Sequence, residues 1–157
     1  MSFKLIALGH KAPAWIEEGC TEYRQRLPKE WRFEEQILKA ERRNDHTSSA
    51  IIKAREAKRI EQSWQDSTIR IALDERGRLL TSQELAIFIQ NHHDKSERIA
   101  CVIGGTDGLD SQIVNATHIT LALSRFTLTH ELARLILMEQ LYRASTILSG
   151  HPYHRDE

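Results

Sequence analysis

The residues best suited to chemistry lie near the carboxyl end of the sequence, within residues 121–157. The final segment, residues 149–155, contains His151, Tyr153, His154 and Arg155. Such side chains can accept a proton near neutral pH, stack on a flat ring and bind an anion. Two histidines could also bind a metal, but this segment contains a proline and no cysteine or carboxylate at a known ligand spacing. We therefore expect no metal site, and the alternatives are a reactive tail or a frayed terminus.

Two other segments could hold a ligand through their backbone amides. Residues 103–109 read IGGTDGL and follow the clearest buried strand in the sequence. Glycine permits positive φ and close approach of a ligand, but the GGxxG spacing is neither a Walker A loop nor a dinucleotide-binding fingerprint. An ordinary turn stays open as the alternative. Residues 124–129 precede a long helix with Thr129 as its predicted N-cap, and they could hold a flat heterocycle or only cap the helix.

Hydrophobic patterning predicts strands that alternate with helices, which favours an α/β fold with a largely parallel sheet. The predicted strands are residues 3–8, 31–38, 68–73, 98–103 and 118–123. A capping box at Thr81 and Glu84 begins one helix, and Ser48 or Ser49 caps another that runs to about Trp64. Ligands bind at the carboxyl ends of strands in such sheets. We expect a site where three turns meet, at residues 73–77, 104–108 and 123–129.

The long helix, from about His130 to Leu148, is apolar over more than the usual stripe. Its apolar positions are Leu132, Leu135, Ile136, Leu137, Met138 and Leu141. One face should cover the sheet. The remainder, with Tyr142, is predicted to contact a second copy of the chain, because a small domain rarely surrounds a helix on all sides. The alternative is a helix buried within a monomer.

Composition limits the class of protein. The 157 residues suit a single domain, residues 1–157, and 40% hydrophobic with 28% charged residues is ordinary for a globular protein. Lys and Arg number 22, as do Asp and Glu, so no global field attracts nucleic acid or an anionic membrane. An RNA partner would require locally gathered basic residues or recognition of shape. The two cysteines, with no signal-like or membrane-length apolar run, favour a cytoplasmic location and no membrane contact.

Taken together and in order, three motifs resemble the RlmH family of SPOUT methyltransferases. They are IGGTDGL after a strand, LALSRFTLTHELARLILMEQLYRA, and HPYHR near the terminus. The amino-terminal strand and the KAPAW helix start also match, so the resemblance covers essentially the whole chain. Members of that family methylate N3 of a pseudouridine in helix 69 of 23S rRNA, in the large ribosomal subunit.

The resemblance implies a SPOUT-type sheet with a C-terminal trefoil knot, S-adenosylmethionine as the cofactor, and a homodimer that acts on the ribosome. By matching position, the implied cofactor site comprises Leu73, Gly104, Leu123, Ser124, Arg125, Phe126, Thr127 and Leu128. The implied catalytic tail comprises Tyr153, His154 and Arg155, and it reaches the active site across the dimer. One departure is Thr129, where the family pattern leads us to expect proline, and it bears on the rigidity of the cofactor loop.

Roles for the tail follow from the chemistry. The imide N3 of pseudouridine is a poor nucleophile while it keeps its proton, so a base or a cation that favours the anion would help. His154 is the expected general base, Arg155 the group that binds phosphate or the developing anion, and Tyr153 a stacking or hydrogen-bonding partner for the base. The alternatives are a SPOUT enzyme acting on another RNA, such as tRNA, and a non-catalytic ribosome-binding factor.

Overall fold

The computed structural model describes residues 1–9 and 11–154. These residues form five strands and five helices in alternation. In chain order they are β1 (Ser2–Gly9), α1 (Ala14–Arg26), β2 (Phe33–Lys39), α2 (Ser49–Trp64), β3 (Ile69–Leu79), α3 (Ser82–Asp94), β4 (Arg98–Ile103), α4 (Ser111–Asn115), β5 (Ile119–Ala122) and α5 (His130–Ser149). Short 3-10 turns lie at Lys29–Trp31 and Pro152–His154.

The strands form one sheet in the order β2-β1-β4-β3-β5, and every neighbouring pair is parallel. The predicted α/β class is confirmed. Both faces of the sheet are covered, so successive side chains of a central strand enter different cores. In β1, Leu5 and Ala7 face one core while Ile6 and Leu8 face the other. This is why the central strands read as continuous apolar runs.

Helices α1, α3 and α5 cover one face of the sheet, and α2 and α4 cover the other. Helix α5 lies between α1 and α3, and its Leu137, Met138 and Leu141 are buried. The Thr129 hydroxyl caps α5 by accepting a hydrogen bond from the Leu132 N–H (3.2 Å), as predicted. Leu132, Leu135 and Ile136 are only half-buried, so the apolar surface is indeed wider than the contact with the sheet.

A buried ion cluster ties α5 to α1 and β2. The Arg134 guanidinium, in a residue only 5% exposed, donates to both carboxylate oxygens of Glu17 (2.8 and 3.0 Å) and of Glu35 (2.8 and 3.0 Å). Burial alone would lower the pKa of Arg134, but the hydrogen bonds to Glu17 and Glu35 outweigh it and the pKa is raised. The guanidinium is therefore a fixed charge, and it orients the first half of α5.

Two predicted boundaries are wrong. Strand β2 begins at Phe33, after residues Lys29–Trp31 form a 3-10 turn and Arg32 takes a left-handed conformation (φ 46°). Strand β3 does not end at residue 73 but continues to Leu79. None of the helices in the described part of the chain combines the length and apolar character needed to cross a bilayer. The trefoil knot stays a prediction.

Candidate functional site

The three turns expected to form a site do meet at the carboxyl edge of the sheet. They enclose a cleft of about 720 Å³, lined by residues from the end of β3, from the turn after β4, and from the β5–α5 connection into the first turn of α5. Leucine and isoleucine side chains form the apolar part of its wall, at Leu73, Ile103, Leu109, Leu121, Leu123 and Leu128. Small-molecule sites in proteins occupy about 300–1,000 Å³ and are mostly apolar with a few polar groups. The cleft fits that description.

The glycine-rich turn after β4 lies against the cleft, and its first glycine has no room for a side chain. A Cβ on Gly104 would lie 2.9 Å from the Gly108 carbonyl carbon and 3.0 Å from Leu109 Cγ. The Gly108 N–H donates to the Gly105 carbonyl oxygen (3.0 Å), and Gly108 has φ 78°, which favours glycine. A side chain at position 104 would therefore disrupt the turn that lines the cleft.

The carboxyl half of β3 supplies the polar rim. Leu73 and Arg78 both pair with Leu121 of β5, so the four intervening residues bulge out of the sheet toward the cleft. Gly77 permits the strand to rejoin β5, because a Cβ there would lie 2.6 Å from the Leu121 carbonyl carbon. The predicted loop at residues 74–77 is thus a bulge within a strand, and it places Asp74, Glu75 and Arg76 in the lining.

Short-range hydrogen bonds fix the β5–α5 loop. The Phe126 N–H donates to the Ser124 hydroxyl oxygen (2.9 Å). The Thr127 hydroxyl donates to Glu75 Oε2 (2.8 Å), which joins this loop to the β3 bulge across the cleft. Thr129 then caps α5, so the hydroxyl groups of Ser124, Thr127 and Thr129 fix the loop. The Phe126 ring is 82% exposed at the mouth of the cleft.

Two carboxylates beside the cleft are held ionised by neighbouring cations. The hydrogen bond from Arg76 lowers the pKa of Asp74 against the opposing effect of burial. The hydrogen bond from Arg43, with a smaller one from Ser49, lowers the pKa of Asp107 in the glycine-rich turn. Lys53 of α2 also lines the cleft. The rim therefore carries charges of both signs over an apolar wall.

The structure brings together seven of the eight predicted cofactor residues. They are Leu73, Gly104, Leu123, Ser124, Phe126, Thr127 and Leu128, and all line the cleft. Arg125 is exposed and is not part of the lining. Asp74 and Glu75 fall within the predicted turn at residues 73–77, although the sequence did not mark either one individually. Lys53 and His130 lie outside the three predicted turns, and their place in the lining depends on how α2 and α5 pack.

Tyr153 and His154, the described residues of the predicted catalytic tail, do not line the cleft of their own chain. The Tyr153 hydroxyl donates to Glu139 Oε1 (2.9 Å), and its ring packs edge-on against Tyr142 (centroids 4.6 Å apart). Glu139 is nine residues beyond His130 at the helix start, which is about 13 Å along the helix axis. Burial, then hydrogen bonds with Tyr23 and Glu139, raise the pKa of the Tyr153 phenol.

His154 Nδ1 is buried and has no hydrogen-bond partner among the described residues. Arg155 lies outside the described residues. In residues 1–9 and 11–154, no group of three or more His, Cys, Asp or Glu side chains could hold a metal ion.

Comparison with known proteins agrees with this geometry. The family model described as "Predicted SPOUT methyltransferase" matches residues 1–154. The chain is 42% identical over 156 residues to the ribosomal RNA large subunit methyltransferase H of Methylibium petroleiphilum, covering 99% of this chain and 100% of that protein. It is 43% identical over 155 residues to the protein of the same name from Ralstonia pickettii, covering 99% of each.

Solved structures resemble the fold. A probable methylase family protein from Haemophilus influenzae superposes with a TM-score of 0.62 at 15% identity, over 96% of this chain and 69% of that one. A probable methyltransferase from Bordetella pertussis gives a TM-score of 0.60 at 17% identity, over 90% of this chain and 95% of that one. At these identities the likeness concerns the fold alone.

Proposed function

The chain belongs to the SPOUT methyltransferase family, and from this premise we propose that it methylates ribosomal RNA of the large subunit with S-adenosylmethionine as the methyl donor. The proposed target is N3 of a pseudouridine in helix 69 of 23S rRNA, on the assembled ribosome in the cytoplasm. The observation that carries the proposal is the end-to-end similarity to relatives named for large-subunit rRNA methylation, at about 42% identity. The cleft described above supports it.

The residues of the cleft suit the proposed cofactor. The apolar wall from Leu73 to Leu128 would hold the flat adenine, and a glycine at position 104 preserves the tight turn that forms one side of the cleft. Asp74 and Asp107 are each paired with an arginine, so the rim offers charges of both signs, which suits a ligand that itself carries cationic and anionic groups. When bound, S-adenosylmethionine supplies an electrophilic methyl carbon. The protein must then hold the acceptor nitrogen in line with that carbon, and most of the acceleration should come from this positioning.

The tail would act on the acceptor base. In this proposal His154 removes the N3 proton, Arg155 stabilises the resulting anion or binds a phosphate, and Tyr153 stacks on the base. A single chain holds Tyr153 against the middle of α5, away from its own cleft. The proposal therefore requires a homodimer in which the tail of one copy serves the cleft of the other. Ile136, a half-buried apolar residue of α5, is available for that contact.

The role of His154 is testable by single-turnover methylation of ribosomes between pH 5 and 8. His154→Ala should lower the rate by about 100- to 10,000-fold and make it less dependent on pH, because positioned general bases contribute factors of that size. His93→Ala, on α3, is the matched control and should match the wild-type rate. An unchanged rate for His154→Ala across this pH range would remove the general-base assignment.

Two alternative functions can be distinguished from the proposed one by experiment. A SPOUT enzyme with another specificity would leave tRNA, not 23S rRNA, undermethylated in a deletion strain, as read by nucleoside mass spectrometry. A non-catalytic ribosome-binding factor need not keep affinity for S-adenosylmethionine, which calorimetry measures directly. The zero net charge of the chain predicts weak binding to naked RNA, since phosphate contacts dominate such affinity. Equal activity on protein-free 23S RNA would contradict the need for the assembled particle.

A further inference from the structure

We propose that residues 39–59, here called the basic segment, bind the phosphate backbone of the substrate RNA beside the cofactor cleft; this rests on the proposed function. The segment comprises the last residue of β2, the connection to α2 and the first 11 of the 16 residues of α2. It contains seven Lys and Arg against three Asp and Glu, an excess of four positive charges in a chain with a formal net charge of zero. The remainder of the chain is thus negative by the same amount, so the basic segment is a positively charged part of a neutral chain and its charge favours contact with RNA.

Two of the three carboxylates of the basic segment are engaged within it, and the third, Asp45, is exposed. Glu41 forms ion pairs with Arg55 (3.2 Å) and with Arg59. Glu56 is 4% exposed, and its Oε2 accepts a hydrogen bond from the Glu41 N–H (3.0 Å). A buried carboxylate and a doubly paired one offer little repulsion to an approaching phosphate.

Three cations of the basic segment are exposed and have no ion-pair partner among the described residues. The side chains of Lys39, Arg42 and Lys58 are exposed, and they form no hydrogen bond or ion pair with any other described residue. Exposed lysine and arginine side chains without a partner in their own chain can pair with RNA phosphates. The cations condensed on the RNA are then released, which favours binding.

The basic segment adjoins the cleft directly. Lys53 lines the cleft itself, and the Arg43 guanidinium donates to both oxygens of Asp107 in the glycine-rich turn (Nε to Oδ2, 3.0 Å). The Ser49 hydroxyl donates to Asp107 Oδ1 (3.1 Å). A smaller cavity of about 280 Å³ lies between the connection and this turn, and Asp107 lines both cavities. An RNA strand held over the start of α2 would therefore present its nucleotides at the edge of the cleft.

Paired charge reversals test this surface. The test variant, Arg42→Glu/Lys58→Glu, reverses two exposed cations of the basic segment. The control variant, Lys29→Glu/Lys95→Glu, reverses two exposed cations that lie shortly before β2 and β4. Both pairs change the net charge equally, and none of the four residues lines the cleft. The assay is methylation of ribosomes at several salt concentrations, with cofactor affinity from calorimetry.

For Arg42→Glu/Lys58→Glu we expect kcat/KM to fall at least tenfold with an unchanged Kd for S-adenosylmethionine. The slope of log kcat/KM against log salt should flatten by about 1.4–1.8, because each phosphate contact contributes about 0.7–0.9. The control should stay within twofold of the wild type. Equal losses in the two variants, or no loss in either, would overturn the inference. If the wild-type protein methylates no RNA at all, the proposed function fails instead.

Directed cleavage identifies what the surface touches. Cys20 and Cys101 are buried, so a cysteine introduced at exposed Ala54 of α2 (Ala54→Cys) can be labelled selectively with iron–EDTA. Hydroxyl radicals from this position should cleave 23S rRNA near the methylated nucleotide, and Lys95→Cys should give no such cleavage. Damage confined to ribosomal proteins would overturn the assignment of RNA as the partner.

Discussion

Replacing Arg134 with methionine should destabilise the protein strongly, because Arg134 is the centre of the buried ion cluster. Its guanidinium makes four hydrogen bonds of 2.8–3.0 Å, and the Glu35 side chain that it contacts is only 5% exposed. In Arg134→Met, Glu35 would keep only its contact with Arg24 (2.9 Å). Removing one partner of a buried ion pair costs about 3–5 kcal/mol. At about 2–4 °C per kcal/mol for a chain of this size, Tm should fall by about 6–20 °C.

The effect should depend on pH with a defined sign. The hydrogen bond from Arg134 lowers the pKa of Glu17 from its ordinary 4.5, against the opposing effect of burial. A carboxyl whose pKa is lowered by folding stabilises the native state above its unfolded pKa and loses that contribution as pH falls through the folded pKa. The difference in unfolding free energy between wild type and Arg134→Met should therefore be largest near neutral pH and decrease below about pH 4.5.

Urea unfolding followed by tryptophan fluorescence measures both effects, since Trp31 and Trp64 are buried. The control is Arg55→Met, which removes an ion pair whose arginine side chain is 57% exposed. Exposed pairs contribute about 0–1 kcal/mol, so this variant should remain close to wild type. A loss for Arg134→Met no larger than that of Arg55→Met, or one independent of pH, would refute the reasoning about the buried cluster.

Four further substitutions, at three positions, probe the site and the tail. Gly77→Ala should lower the unfolding free energy by about 1–3 kcal/mol and weaken cofactor binding, because the new Cβ would lie 2.6 Å from the Leu121 backbone. An unchanged Tm would contradict this prediction of a steric clash. Thr127→Val removes the hydrogen bond to Glu75, so we expect the Kd for S-adenosylmethionine to rise several-fold. The unfolding free energy should change by less than about 1.5 kcal/mol. An unchanged Kd in calorimetry would show that this hydrogen bond does not hold the loop for cofactor binding. If Tyr153 stacks on the base, Tyr153→Phe should retain most of the methylation rate and Tyr153→Ala should lose about 10- to 100-fold; equal losses would indicate that the hydroxyl matters instead.

Local signals in the sequence predicted the elements of the fold well. The buried run of β4, the capping box at Thr81 and Glu84, and the N-caps at Ser48 and Thr129 all depend on residues within a few positions of each other. The end of β3 was predicted wrongly because it depends on pairing. Residues 74–77 have turn composition, but the strand resumes where Arg78 meets Leu121, and pairing with β5 cannot be read from β3 alone.

The site was predictable in outline, because parallel strands place their carboxyl ends together and so gather three turns at one edge. Contacts between residues that are distant in the sequence were not predictable. Arg134 meets Glu35 across 99 positions of sequence and Glu17 across 117, and Arg43 meets Asp107 across 64. The sequence likewise gave no sign that Tyr153 packs on α5 of its own chain.

The most direct test of the proposed activity is to incubate the protein with methyl-labelled S-adenosylmethionine and ribosomes, digest the RNA and identify the labelled nucleoside by mass spectrometry. The proposal predicts label in a single N3-methylpseudouridine of 23S rRNA, and none when protein-free 23S RNA replaces ribosomes. Label in tRNA, in another nucleoside of rRNA, or in no RNA despite measured cofactor binding would contradict it.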